Sequence, residues 1–167
     1  YLTGYFSFSK PAVVSEPVTI LFVGDIMLSR GPGGKMKRFN DYTYPFKRTY
    51  KFLNSADLTV GNLEGPVSDK GEDFKNTYSF RADPRAIEGL TLAGFDILDV
   101  NNNHIMVWGI EAFKDTIARL KDNGISYSGA GLNFNEANAP VIKDIRGTKI
   151  AFLSFSDFSS SYKQATD

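Results

Sequence analysis

Three short apolar runs, each closed by a small or amide residue, set the strongest limit on how this chain can fold. Val18–Val23 (VTILFV) runs into Gly24-Asp25, Asp57–Val60 (DLTV) into Gly61-Asn62, and Phe95–Val100 (FDILDV) into Asn101-Asn102-Asn103-His104. Such β-branched runs, only a few residues long and bounded by turn residues, read as buried strands. Helical patterns lie between them. Pro84–Ala93 opens with proline in a first turn, spaces Ile87, Leu90 and Leu92 helically, and is stopped by Gly94. From Gly109 to Asn123, the residues Ile110, Phe113, Ile117 and Leu120 form one stripe, closed by Asn123-Gly124. Pro45–Leu53 predicts a short helix with Phe46, Tyr50 and Leu53 on one face. Ser29–Tyr44, rich in Gly, Lys and Arg, reads as an irregular loop, and Gly65–Tyr78 as an exposed polar one.

Ile125–Ser128 is a fourth strand, and Val141–Ile145 with Lys149–Phe155 reads as a hairpin about Arg146-Gly147-Thr148. The alternation predicts an α/β fold: a largely parallel sheet flanked by helices, finished by a C-terminal antiparallel hairpin. Residues 1–17 read as a linker or arm and 18–167 as the domain; the 167 residues suit one domain.

Composition removes several function classes. Nineteen basic residues balance nineteen acidic ones, so nothing advertises nucleic-acid binding by counterion release. No cysteine and a single histidine, His104, exclude disulfides, thiolate metal sites and any centre built from several imidazoles of this chain. No apolar run approaches the roughly 18–20 residues that span a bilayer.

In parallel sheets the carboxyl ends of the strands share one edge, where ligands bind. Parallel strands would therefore bring Asp25, Asn62, Glu64, Asn103 and His104 together. That mixture of oxygen and nitrogen donors suits a divalent cation, Mn²⁺, Mg²⁺ or Zn²⁺. Each residue alone has a plainer reading: Asp25 as a cap, Gly61-Asn62 as a turn pair, Asn103-His104 as a hydrogen-bonded turn. Recurrence at three strand ends favours a shared site.

The stretches Phe22–Leu28 (FVGDIML), Ala56–Pro66 (ADLTVGNLEGP), Phe80-Arg81-Ala82, Asn102-Asn103-His104, and Gly129-Ala130-Gly131 with Glu136-Ala137 and Pro140 follow one another between Val18 and Asp157. In order and spacing this resembles the bacterial capsule-synthesis family of the CapA/PgsA type, associated with poly-γ-glutamate. The resemblance implies the first part of a metallophosphatase-like α/β/β/α sandwich. It implies Asp25, Glu64 and Asn103 as metal ligands, with Asn62 at the position that bridges metals. His104 would then stand beside the substrate as proton donor, while the cation polarises a phosphoryl oxygen and activates water. Arg81 would hold an anion through a forked contact, against the plainer reading of a surface charge.

Two departures stand out. The family's Asn-Asn-His, two residues, Asp, one residue, Gly pattern has Val107 in place of Asp. Its later His-Trp-Gly and Gly-His-His-Pro-His stretches are absent from a chain with one histidine. Two functions follow as expectations. One is a metal-dependent phosphoesterase-like hydrolase with a phosphorylated substrate. The other is a non-catalytic component that holds anionic polymer or meets membrane subunits of a polymer synthase or exporter. The opening on Tyr1 rather than Met, the aromatics Tyr5, Phe6 and Phe8, and the resemblance together predict a cell-surface location behind an upstream anchor.

Overall fold

The computed structural model describes residues 16–75 and 77–156. The arm read over residues 1–17 therefore lies outside the described residues except for its last two, and so does the polar tail from 157 onward. Strands β1 (Ile20–Ile26), β2 (Leu58–Leu63), β3 (Ile97–Asp99) and β4 (Ser126–Ser128) form one sheet in chain order, and every neighbouring pair is parallel. Helices α1 (Arg30–Phe39) and α2 (Tyr50–Leu53) lie in the first crossover, α3 (Ala86–Ala93) in the second and α4 (Gly109–Asp122) in the third. A five-residue helix α5 (Phe134–Asn138), which the sequence reading did not foresee, precedes an antiparallel pair, β5 (Val141–Ile145) and β6 (Thr148–Phe152). The α/β architecture with its closing hairpin is thus the one the strand and helix patterns predict.

The first two strands run further than their apolar residues suggest. After an irregularity between Phe22 and Asp25, the ladder resumes with Asp25 opposite Asn62 and Ile26 opposite Leu63. Asp25 and Asn62 therefore sit on the last rungs of their strands, not beyond them. Gly61 permits this packing. A Cβ there would lie 2.6 Å from Ile26 Cδ1, 2.8 Å from Val23 Cγ2 and 3.2 Å from Phe95 Cε1. Gly61→Ala is expected to destabilise the fold by about 1–3 kcal/mol through overpacking. Chemical denaturation of the variant checks this; a loss under about 0.5 kcal/mol would show that the sheet gives way freely.

The predicted loop over Ser29–Tyr44 is instead α1 and a 3₁₀ turn at Tyr44–Phe46. Glycine-rich composition is overridden by packing: Met36 is completely buried against the core. Pro32 falls in the first turn, where its missing N–H is harmless. Asn40 closes the helix with a left-handed backbone, φ 46°, its N–H reaching the Lys37 and Met36 carbonyls. The helix expected over Pro45–Leu53 divides into that 3₁₀ turn and α2. In α4 the stripe holds for Phe113, Ile117 and Leu120, but Ile110 at its start is exposed.

The segment read as an exposed loop, Gly65–Tyr78, is buried over its first four residues. Val67 forms a parallel bridge with Ala82, and its N–H donates to Thr116 Oγ1 on α4 at 3.1 Å. Ser68 Oγ donates to the buried Asp115 at 2.7 Å. The loop is therefore fastened to α4 at its start and swings outward only beyond Ser68.

Arg146 and Gly147 form the two-residue turn between β5 and β6, both with positive φ (52° and 82°), as the twist of such hairpins requires. Arg146 also clasps Asp57 at the start of β2, with Nη1–Oδ1 2.5 Å and Nη2–Oδ2 3.0 Å. Thr19 adds a backbone and a hydroxyl donor to the same carboxylate. The Arg146 guanidinium and these donors hold the Asp57 carboxyl well below the usual carboxylate range. The hairpin is thereby fixed to the amino-terminal edge of the sheet, opposite the end that carries Asp25 and Asn62. Among the described residues no helix is long and apolar enough to cross a membrane.

Candidate functional site

A chain of hydrogen bonds gathers the residues at the carboxyl ends of the strands. The Asn62 amide nitrogen donates to Asp25 Oδ1 at 2.7 Å and to Glu64 Oε2 at 2.9 Å. Two carboxylates, one on β1 and one just past the end of β2, thus converge on one amide. Asn102, in the loop after β3, donates to Asn62 Oδ1 and to the Leu63 carbonyl, both at 2.8 Å. Its own Oδ1 accepts the His104 backbone N–H at 3.0 Å. The loop between β3 and α4 is thereby tied to β2, and the imidazole comes with it. His104 Nε2 lies 3.3 Å from Glu64 Oε1 and 2.9 Å from the Asn103 amide nitrogen. Nδ1 lies 3.0 Å from the Tyr78 carbonyl, which assigns the neutral ring's proton to Nδ1.

Asp25, Asn62, Glu64, Asn103 and His104 therefore share one network, as expected of residues at parallel strand ends. Burial grades it: Asp25 is exposed, whereas Glu64 and His104 side chains are only 14% and 13% exposed. His104 lies in the loop between β3 and α4, where both ring nitrogens are engaged and the Phe80 ring packs on it at 4.5 Å. Arg81 points its contacts elsewhere. Its guanidinium lies 3.6 Å over Trp108 and donates to the Lys70 carbonyl at 3.0 Å, with no contact to the network among the described residues. Val107, standing where the resembled pattern has an acid, is 2% exposed.

Three participants were not singled out from the sequence as functional residues. Asn102 is the connector that closes the network, and the aromatic pair Tyr78 and Phe80 forms the wall against His104. Tyr78 lies in what reads as a polar loop, and only the fold brings it across.

The donor set, two carboxylates with carboxamides and an imidazole, offers oxygen and nitrogen atoms of the kinds that ligate divalent cations. As arranged, Asn62 sets an amide donor between the two carboxylates. Among the described residues no three His, Asp or Glu side chains form a group that could hold a metal ion. The residues present fit part of a coordination shell, with Asp25 and Glu64 as its charged members and Asn62 able to present its oxygen by turning its amide.

Comparison with known proteins finds relatives among capsule biosynthesis proteins. The chain is 32% identical over 149 residues to the capsule biosynthesis protein CapA of Bacillus anthracis, covering 86% of this chain and 36% of that protein. It is 27% identical over 142 residues to the PGA biosynthesis protein CapA of Bacillus subtilis (strain 168), covering 83% of this chain and 37% of that one. A probable polyglutamine synthesis accessory protein of Mycobacterium tuberculosis is 26% identical over 160 residues, covering 76% and 42% respectively. The chain thus spans about two-fifths of the length of these curated relatives. The stretches that converge in the network, Gly24-Asp25, Gly61-Asn62-Leu63-Glu64 and Asn102-Asn103-His104, all fall within residues 19–167, which match the model of one family along their whole length, and the chain belongs to that family, the bacterial capsule synthesis proteins PGA_cap.

Proposed function

We propose that this chain forms the ligand-holding part of a capsule or poly-γ-glutamate biosynthesis protein working at the cell surface, and that the Asp25–Asn62–Glu64–His104 network is its binding centre. The carrying observation is the single Asn62 amide that gathers carboxylates from β1 and β2 at the strand ends. Asp25, Glu64 and the Asn62 oxygen would hold a divalent cation, with Asn103 within the same network. When bound, that cation supplies positive charge to an anionic polymer or phosphorylated ligand that two carboxylates would otherwise repel. Asn102 keeps the β3–α4 loop against β2, and Phe80 excludes water from one face of His104.

Only two carboxylates serve this centre, so the chain alone is expected to bind Mn²⁺ weakly, with a dissociation constant on the order of 10⁻⁴–10⁻³ M. Calorimetric titration tests this. Binding should vanish in the Asp25→Asn, Glu64→Gln double variant; heat that persists unchanged in that variant overturns the assignment.

A hydrolytic reading has one observation in its favour. With Nδ1 donating to the Tyr78 carbonyl, Nε2 is the ring's acceptor, meeting the Asn103 amide at 2.9 Å and lying 3.3 Å from Glu64 Oε1. His104 would then act as general acid. Mn²⁺-dependent hydrolysis of an aryl phosphate that His104→Gln removes would establish it; no turnover by the wild type would leave the binding function alone.

A further inference from the structure

Arg30 opens α1 directly after β1 and holds a left-handed backbone, φ 47°. A residue with a Cβ disfavours that conformation, and such residues persist where the surroundings over-determine them, often at ligand sites. The strain alone assigns nothing, but the side chain's surroundings do. Its guanidinium carbon lies 4.7 Å from the Phe80 ring centroid and 6.0 Å from that of Tyr78, and Nη2 donates to the Thr77 carbonyl at 3.1 Å. These are its contacts among the described residues, and no carboxylate pairs with it. Arg85, Arg119 and Arg146 differ, each being matched to an aspartate.

The aromatic wall that carries Arg30 is the wall of the polar network. The same Phe80 ring faces His104 at 4.5 Å, and the carbonyl of the same Tyr78 meets His104 Nδ1. One ring therefore meets both a partly unpaired guanidinium and the imidazole. A guanidinium stacked on rings keeps its in-plane donors available and matches the oxygens of carboxylate and phosphate. An anionic ligand approaching Asp25 and Glu64 also needs a nearby positive charge.

We infer that Arg30 is the anion-binding residue of this centre, holding a carboxylate or phosphate group of the ligand through the guanidinium donors that have no partner among the described residues. This deepens the proposed function and rests on it for the ligand's place beside the network; the anion contact itself requires no metal.

The test uses the chain without metal, titrated by NMR with inorganic phosphate in one arm and a synthetic γ-linked glutamate oligomer in the other. Wild type is expected to bind at least one probe, with shifts at Phe80 and His104; the tighter arm tells phosphate from carboxylate. Arg30→Gly, which accepts the left-handed backbone freely, is expected to melt no lower than wild type yet bind roughly tenfold or more weakly. Arg30→Lys should retain an intermediate affinity, since it keeps charge without the fork. Equal affinity of wild type and Arg30→Gly, or no binding by wild type at millimolar probe, would overturn the inference. Mn²⁺ titration of the same variants separates the two ideas. Mn²⁺ binding is expected to be unaffected by Arg30→Gly, and its absence in every variant would sink the cation centre while leaving the anion contact standing.

Discussion

Asn62→Asp is expected to lower the unfolding midpoint of the metal-free chain at neutral pH and, in the same protein, to tighten Mn²⁺ binding. The Asn62 amide nitrogen is the donor that two carboxylate oxygens share, at 2.7 and 2.9 Å. Replacing it with oxygen removes both hydrogen bonds and sets a third carboxylate against Asp25 and Glu64. Unit charges about 4 Å apart repel by about 4 kcal/mol at an effective dielectric of 20. Proton uptake relieves part of this. A net loss of about 2–3 kcal/mol, or roughly 5–10 °C in a domain of this size, is the expected remainder. Mn²⁺ should restore the midpoint, because three carboxylates supply what two lack. Asn62→Leu is the control: it loses the donor without adding charge, so Mn²⁺ should not rescue it. A metal-free melt of Asn62→Asp that matches wild type would show that Asn62 does not hold the carboxylates together.

The site was legible in the sequence because its residues stand at strand ends, and a parallel sheet collects strand ends at one edge. Asp25, Asn62 and Glu64 needed only that rule. The strands' true length was not legible. Gly61 and Asn62 look like turn residues, yet Gly61 lies in the ladder because no side chain fits among Ile26, Val23 and Phe95. Helix α1 was hidden for a related reason. Its glycines and proline argue for a loop, and only the burial of Met36 and the Asn40 cap decide otherwise. Arg30, Tyr78 and Phe80 could not be brought together from spacing, since their contacts cross from the first crossover of the chain to the second. Composition concealed the polarity of the site as well: a net charge of zero says nothing of where two carboxylates gather on one amide.

The second large effect is expected at a residue outside the site, Asp115. This carboxylate is 8% exposed and carries three partners: Ser68 Oγ at 2.7 Å, Lys70 Nζ at 2.9 Å and Arg119 Nε at 2.8 Å. Two of them, Ser68 and Lys70, belong to the loop that leaves β2. Asp115→Ala leaves a buried hydroxyl without its acceptor and Lys70 without its paired carboxylate, while Arg119 keeps only Asp69 at 3.4 Å; the expected loss is about 2–4 kcal/mol. Burial alone would push the Asp115 carboxyl up; Lys70, Ser68 and Arg119 more than offset it and hold it below its ordinary value. A carboxyl lowered on folding contributes stability above its unfolded value, about pH 3.9, and loses it as pH falls through the lower folded value. The difference between wild type and Asp115→Ala should therefore stay level from about pH 5 to 8 and shrink below about pH 4. A difference that instead grows on acidification would contradict the ion-pair account. The same loop continues to Tyr78 and Phe80, which hold His104. Hydrogen exchange on Asp115→Ala should therefore quicken at the Val67–Ala82 bridge and the His104 amide before the β2 and β3 ladder opens. Uniform quickening across the sheet would show that Asp115 supports the whole fold rather than the wall of the site.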